Sequence, residues 1–246
     1  MIFGYWTDSA GPCRVARPRA GIAEWTKRCP DYTLFSDDAV APLLNRWGKH
    51  AEEIFRDISI PACKSDVARL VLLHEYGGLY VDAHCAPGAS ERLTRMFSWL
   101  AECDLLLFDE STQLVEHRHT WILNGVLAAR ARATVLGTLI RRAFDNLAVH
   151  RRRERLLGRD RVAYDIYKLT GPWMIWHELF RRVPIGGELK ARYRSRVAIW
   201  PLDSATPQPV RLYQHNSYRS PAMHWSKRQD IERLFLSTAV KSHRRH

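Results

Sequence analysis

Residues 64–84 read KSDVARLVLLHEYGGLYVDAH, and they predict a helix that leads directly into a buried strand. We expect the helix to cover residues 61–76, because Pro61 suits its opening turn and apolar residues recur on one face. Two glycines follow, and glycine adopts the left-handed conformation of a helix C-cap most readily. The apolar residues 79–81 then form the strand. A helix joined to a strand in this way is typical of an α/β fold.

Strands and helices are also expected to alternate on both sides of this segment, which predicts the α/β class for the whole chain. With 246 residues, 46% of them hydrophobic, the chain can bury a large core, and we expect one domain over residues 1–246. The other predicted strands cover residues 2–6, 32–35, 104–108 and 194–200, and the other predicted helices cover residues 20–27, 134–147, 172–183 and 229–236. Residues 201–209 contain three prolines and predict a surface loop.

Polar side chains gather where the predicted strand ends. In an extended segment alternate side chains share a face, so Tyr80, Asp82 and His84 are expected to point the same way. A carboxylate and an imidazole two residues apart can hold a divalent metal whose open positions accept diphosphate oxygens. On the preceding helix, Asp66 and Arg69 share a face, where they form either a structural ion pair or a pair that reaches toward a ligand.

Net charge of +12 at neutral pH favours polyanionic partners, namely nucleotide diphosphates, anionic lipid surfaces or nucleic acid. Solvated helix faces explain most of the basic residues equally well. Nucleic-acid binding is disfavoured because no zinc-finger, RNA-recognition or helix-turn-helix signature accompanies the charge.

Five scattered cysteines, never spaced as CxxC, predict neither a disulfide framework nor a zinc knuckle, and they fit a reducing compartment. No stretch approaches the roughly 20 apolar residues of a membrane helix, and the first residues lack a basic leader. We therefore expect a cytoplasmic protein, with peripheral contact at the inner membrane face as an extension suggested by its charge.

The segment SDVARLVLLHEYGGLYVDAH, residues 65–84, resembles the signature of the DXD-containing sugar transferases of glycosyltransferase family 32. This family includes OCH-type mannosyltransferases and bacterial capsular and lipopolysaccharide sugar transferases. The signature runs as Ser-Asp, an Arg three residues on, Gly-Gly, and a Tyr before Asp-X-Asp. The similarity continues more weakly at FGYWTD, at Asn124 and at the Thr-Gly-Pro of residues 170–172.

The resemblance implies a GT-A type, Rossmann-like α/β fold with extra helices, in which the sugar nucleotide lies at the ends of the parallel strands. It also implies roles for individual residues. Asp66, Arg69 and Asp82 are the expected catalytic residues, and the expected donor-binding residues are Trp6, Asp66, Arg69, Tyr80, Asp82 and Asn124. Alternatives stay open for two of them: Trp6 can be a core residue, and Asn124 can cap a following helix.

His84 stands where the family pattern has its second aspartate. An imidazole is a competent ligand for Mn²⁺ but suits Mg²⁺ less well, so three outcomes are open: a Mn²⁺ site formed by Asp82 and His84, a metal-free enzyme, or a degenerate site that only binds. The third metal ligand implied by the family is His224, next to Trp225, or alternatively His215. Both histidines can equally be packed, hydrogen-bonded side chains.

The function implied is a retaining, metal-assisted transfer of a hexosyl unit from UDP- or GDP-sugar to a saccharide or lipid-linked saccharide, in surface polysaccharide or glycolipid synthesis. Asp109 and Glu110, which follow a predicted strand, are candidates for contact with the acceptor, although a turn explains them as well. The alternative is a catalytically degenerate GT-A-like protein that binds sugars or nucleotides.

Overall fold

The computed structural model describes residues 1–7, 17–110, 122–158, 161–181, 188–202, 206–215 and 224–238. The strands are β1 (Ile2–Tyr5), β2 (Thr33–Phe35), β3 (Gly78–Val81), β4 (Ala86–Pro87), β5 (Leu105–Asp109), β6 (Ile122–Ala129), β7 (Phe180–Arg181), β8 (Glu188–Leu189), β9 (Val197–Pro201) and β10 (Val210–Arg211). The α-helices are α1 (Arg19–Arg28), α2 (Asp37–Val40), α3 (Ala51–Asp57), α4 (Pro61–Tyr76), α5 (Ser90–Glu102), α6 (Thr134–Leu157), α7 (Ile166–Leu169), α8 (Pro172–Leu179) and α9 (Trp225–Ile231). Short 3-10 helices cover Ala41–Trp47, Ala191–Tyr193 and Leu236–Thr238.

A six-stranded sheet with the order β2-β1-β3-β6-β5-β9 forms the centre of the fold. β1 is parallel to β2 and to β3, and β5 is parallel to β9. β6 is antiparallel to both of its neighbours, β3 and β5. Three of the five pairings are therefore parallel, and the predicted α/β class is confirmed.

Helices cover both faces of this sheet. On one face, Phe3, Tyr80 and Leu127 pack in an apolar cluster with residues of α4, α6 and α8. On the other face, Val81 and Leu106 pack in a second cluster with residues of α1 and α5. Because each strand alternates its side chains between the two clusters, the central strands are buried on both sides.

The helix α4 has the predicted bounds, and its C-cap residue Gly77 has a φ of 64°. α6 continues ten residues beyond the predicted end at 147, because its last turns carry buried polar residues that have partners. Arg151 donates to Asp57, and the carboxylate of Glu154 accepts from the backbone of Leu234. None of the helices within the described ranges is long and apolar enough to cross a bilayer.

Three further predicted elements have different bounds in the structure. α8 ends at Leu179, four residues early, because the chain turns into the short strand β7. β9 begins at Val197 rather than at 194, since a 3-10 helix precedes it. The closing helix lies at Trp225–Ile231 instead of 229–236, because the side chain of His224 accepts from the Ser226 N–H and caps an earlier start.

The strand β6 was absent from the sequence prediction. Its eight residues, ILNGVLAA, are all buried, so they show neither the alternation of a half-exposed strand nor the period of an amphipathic helix. The alternative in which Asn124 caps a helix is wrong, because Asn124 lies within β6. The pairing with β5 shifts register between Leu107 and Asp109, and such irregularities redirect side chains and backbone groups.

Candidate active site

Asp66 and Arg69 lie on one face of α4 and are almost fully buried, with 6% and 4% exposure. Arg69 Nη2 lies 3.4 Å from Asp66 Oδ1, which makes them an i,i+3 ion pair. Buried charges of this kind are held by further partners, because an ion pair alone seldom offsets the cost of removing both groups from water.

Asp66 has two such partners. Asn124 Nδ2 donates to Asp66 Oδ1 at 2.6 Å, and Thr170 Oγ1 donates to Oδ2 at 2.9 Å. Burial nevertheless raises the pKa of Asp66 to about 6, because desolvation outweighs the lowering effects of Arg69, Thr170 and Asn124. Asp66 is therefore a carboxyl group that titrates close to neutral pH.

Arg69 forms hydrogen bonds with three parts of the chain. Its Nε donates to the Ser65 carbonyl at 3.0 Å, its Nη1 donates to the Asn124 carbonyl, and its Nη2 donates to Asp82 Oδ1 at 3.3 Å. The guanidinium also lies over the ring of Tyr80, 5.0 Å from its centroid. Burial acts to lower the pKa of Arg69, but the acidic groups around it, Asp82 foremost and Asp66 among them, together outweigh burial, and the pKa is raised. The guanidinium is thus a fixed positive charge beside Asp82.

Asp82 follows β3 directly, and one of its carboxylate oxygens, Oδ1, accepts hydrogen bonds from neighbouring side chains. The hydroxyl of Tyr80, a fully buried residue, donates to Asp82 Oδ1 at 2.7 Å. The Asp82 N–H donates to the Gly125 carbonyl at 2.7 Å. The side chain of Asp82 keeps 24% of its surface exposed, more than that of Arg69. Among the predicted residues, the structure therefore brings Asp66, Arg69, Tyr80, Asp82 and Asn124 into one connected group.

The predicted strand over residues 79–81 is confirmed, but the extended conformation expected to continue to His84 stops at Asp82. β3 ends at Val81, and the Cys85 N–H donates to the Asp82 carbonyl at 2.9 Å, so residues 82–85 form a turn. The turn still brings His84 Nδ1 to 4.0 Å from Asp82 Oδ2. The imidazole stacks on the ring of Tyr213, with centroids 5.2 Å apart and planes 4° apart.

A divalent cation fits this pair of side chains. Ligand atoms about 2.1 Å from one ion can lie up to about 4 Å apart, the separation seen between Asp82 Oδ2 and His84 Nδ1. No group of three His, Cys, Asp or Glu side chains suited to a metal occurs within the described part of the chain. The Mn²⁺ site expected from Asp82 and His84 stays a prediction.

The two C-terminal histidines occupy different environments. The His215 N–H donates to the His84 carbonyl at 3.2 Å, which places its backbone against the turn, and its Nε2 lies 2.9 Å from Glu24 Oε2. His224 is the N-cap of α9, and its Nδ1 lies 2.8 Å from Ser226 Oγ. The third metal ligand stays a prediction for both.

Trp6 lies just beyond β1, where its backbone N–H donates to the Phe35 carbonyl at 2.9 Å, and the residue is partly buried. Its stacking on a base stays a prediction.

Two polar contacts of the site were not expected from the sequence. The buried Lys64 Nζ donates to Asp37 at 2.8 Å and forms an ion pair with it. Thr170 was also not predicted as a partner of Asp66, although the family resemblance had drawn attention to its Thr-Gly-Pro segment.

Residues 6–90 match the family model described as "Glycosyltransferase sugar-binding region containing DXD motif". The matched region carries a DXD-type glycosyltransferase sequence. It includes four of the five residues of the connected group, all except Asn124. No curated protein matches the chain significantly.

Two solved structures align with parts of this one. "PaToxG Glycosyltransferase" has a TM-score of 0.39 and 14% identity, over 71% of this chain and 66% of that chain. "Crystal structure of the ligand-free glycosyltransferase domain from the YGT toxin" has a TM-score of 0.34 and 12% identity, over 52% of this chain and 38% of that chain. The chain thus spans less than two thirds of either structure.

Proposed function

We propose that the chain is a nucleotide-sugar-dependent glycosyltransferase of the family 32 type. It would move a hexosyl unit from UDP- or GDP-sugar to a saccharide or lipid-linked saccharide, in the synthesis of a surface polysaccharide or glycolipid. The observation that carries the proposal is that Arg69 forms an ion pair with Asp66 and donates a hydrogen bond to Asp82, next to the end of β3 and within the matched region. Ligands of α/β folds bind at this edge of the sheet.

Arg69 and Asp82 would act on the leaving diphosphate. When a divalent cation such as Mn²⁺ is bound by Asp82 and His84, it supplies positive charge to the diphosphate oxygens. Arg69 keeps the Asp82 carboxylate oriented through its hydrogen bond to Oδ1, and it adds a fixed positive charge nearby. Stabilisation of the departing charge by a preorganised site would then account for most of the rate.

Asp66 and Asn124 would position the donor sugar. Asn124 Nδ2 donates a hydrogen bond to Asp66, whereas the buried Oδ1 of Asn124 receives no hydrogen bond from the described residues. A hydroxyl of the donor sugar is the partner we assign to this atom, because buried polar atoms are nearly always hydrogen-bonded. Retention of the anomeric configuration is part of the proposal.

A hydrolysis screen tests the proposal without knowledge of the acceptor. The purified chain would be incubated with UDP- and GDP-linked glucose, galactose and mannose, with Mn²⁺, Mg²⁺, Co²⁺ or a chelator, and free nucleoside diphosphate would be measured. We expect one donor to be hydrolysed, with Mn²⁺ or Co²⁺ more effective than Mg²⁺. Absence of turnover with every donor and metal would count against the enzyme.

A degenerate sugar- or nucleotide-binding protein is the second candidate. It is favoured by His84 in place of an aspartate and by the stacking of its ring on Tyr213. Calorimetry with UDP and GDP separates the two candidates, because binding without any hydrolysis of the corresponding sugar nucleotides would support the degenerate protein.

We also propose that the whole chain, residues 1–246, acts as one domain in the cytoplasm and contacts the inner membrane face peripherally. The net charge of +12 supports this location, because anionic lipid attracts clustered basic residues. Cosedimentation with phosphatidylglycerol vesicles at low salt, compared with phosphatidylcholine vesicles, is the test. Equal binding to both would contradict the proposal.

A further inference from the structure

A cavity of about 570 Å³ lies beside the turn that carries Asp82 and His84. Residues 87–89 form one wall, and residues 206–208 and 210–213 form much of the remainder. The two segments are joined by the antiparallel pair β4 and β10. The backbone N–H groups of Gly88 and Ala89 also donate hydrogen bonds to the carbonyls of Pro209 and Gln208. A Cβ on Gly88 would lie 2.0 Å from the Gln208 carbonyl oxygen, so the walls approach as closely as glycine permits.

Tyr213 separates this cavity from the candidate active site. Its ring lines the cavity and also stacks on His84. Its hydroxyl donates to Glu110 at 3.2 Å, and its backbone φ is 56°, a left-handed conformation that is unfavourable for an aromatic residue. The residue still keeps 45% of its surface exposed. Strained residues held by several partners are concentrated at functional sites.

The lining combines an aromatic face with hydrogen-bonding groups. Leu212 contributes apolar surface, and Thr206, Gln208 and Arg211 contribute a hydroxyl, an amide and a guanidinium. The Gln208 amide already donates to Thr206 Oγ1 and accepts from Trp200 Nε1, so its side chain is fixed in place. Arg211 is anchored by hydrogen bonds to the Pro87 carbonyl and to Glu24. A pyranose ring presents the same combination, since its C–H face packs on aromatic rings and its hydroxyls need donors and acceptors. The volume is within the usual range for small-ligand pockets, roughly 300–1,000 Å³.

We propose that this cavity binds the terminal hexopyranoside of the acceptor, with Tyr213 as the aromatic platform on which the sugar ring stacks. The proposal rests on the proposed function and extends it by assigning an acceptor subsite. Because Tyr213 lines the cavity and stacks on His84, the proposed subsite and the candidate active site share this one side chain.

Two variants test the subsite. Tyr213→Asn removes the ring but suits the left-handed backbone, because asparagine tolerates positive φ better than most residues. Thr206→Trp fills the cavity from an exposed position. Tyr76→Ala is the control, since Tyr76 is also an exposed tyrosine stacked on an aromatic ring, Phe35, but does not line the cavity.

The probes are the methyl α-glycosides of glucose, galactose and mannose, observed by saturation-transfer NMR on the full chain. We expect at least one glycoside to bind the unmodified protein and the Tyr76→Ala protein alike, and both cavity variants to weaken binding by about tenfold or more. Near-ultraviolet circular dichroism shows whether each variant is folded. A single folded cavity variant is sufficient for the comparison.

Failure of this inference is distinguishable from failure of the proposed function. If sugar nucleotides are hydrolysed but no glycoside binds, or if binding survives in a folded cavity variant, the acceptor subsite is wrong and the transferase stands. If a glycoside binds and the cavity variants abolish binding although no donor is hydrolysed, the subsite stands and the transferase is wrong.

Discussion

Gly125 leaves the space that the carboxylate of Asp82 occupies: a Cβ on Gly125 would lie 2.8 Å from Asp82 Oδ2. The backbone of the same glycine accepts a hydrogen bond from the Asp82 N–H. β6 therefore holds the backbone of Asp82 in place and leaves room for its side chain. This relation links a central strand to the position of one carboxylate oxygen.

Gly125→Ala should lower activity far more than stability. The added methyl group pushes against the mobile end of the Asp82 side chain, so the carboxylate moves while the backbone keeps its place. We expect kcat/KM for donor hydrolysis to fall by about 100-fold and the free energy of unfolding to fall by about 1–2 kcal/mol. Steady-state kinetics and urea unfolding provide the two values.

Gly137→Ala is the matched control for this substitution. Gly137 lies within α6, and a Cβ there meets its nearest neighbour, Trp47, at 3.6 Å, an ordinary contact. The exchange should stabilise the fold by about 0.5–1 kcal/mol, because alanine favours helix over glycine, with kcat/KM unchanged. An equal loss of activity in both variants would mean that the loss in Gly125→Ala does not come from contact between the added methyl group and Asp82.

Arg69→Lys should destabilise the fold although the charge is kept. A lysine ammonium cannot reproduce the three hydrogen bonds that the guanidinium makes to Ser65, Asn124 and Asp82. We expect a loss of about 2–3 kcal/mol in the free energy of unfolding, together with loss of donor hydrolysis. Arg46→Lys, in an exposed pair with Glu75, should change stability by less than about 0.5 kcal/mol. Equal effects of the two substitutions would contradict the role of Arg69.

Asp66 should make stability depend on pH in a definite direction. Its pKa is about 6 in the folded chain against 3.8 ordinarily, so between these values the folded state holds a proton that the unfolded state has lost. This group therefore stabilises the fold as pH falls through 6, and its contribution is lost as pH rises again. From pH 7 to pH 5, the free energy of unfolding of the unmodified protein should therefore rise by about 1 kcal/mol relative to that of Asp66→Asn. A constant difference would contradict the raised pKa.

Parts of this site could be predicted because local signals mark them. The bounds of α4 follow from Pro61 and Gly77, and the helical period then places Asp66 and Arg69 on one face. Asp82 at the end of β3 follows from the same segment. Local patterns of this kind depend on neighbours in the sequence and so can be read without the fold.

Other parts could not be predicted, because they depend on contacts between distant segments. Nothing near Tyr213 indicates that it stacks on His84, and nothing near Thr170 indicates that it donates to Asp66. The strand β6 has apolar residues on both faces, so its sequence has no period to detect. The family resemblance pointed to Asn124, but without β6 neither its hydrogen bond to Asp66 nor the space that Gly125 leaves for Asp82 could be foreseen.

The most direct test of the account compares donor hydrolysis by the unmodified protein with that by Asp82→Asn. Asparagine keeps an oxygen that can accept from the Tyr80 hydroxyl, so the free energy of unfolding should change by less than about 2 kcal/mol. We predict that the unmodified protein hydrolyses a UDP- or GDP-sugar and that the substitution lowers kcat/KM by about 100-fold or more. Full activity in folded Asp82→Asn would contradict the assignment of the site.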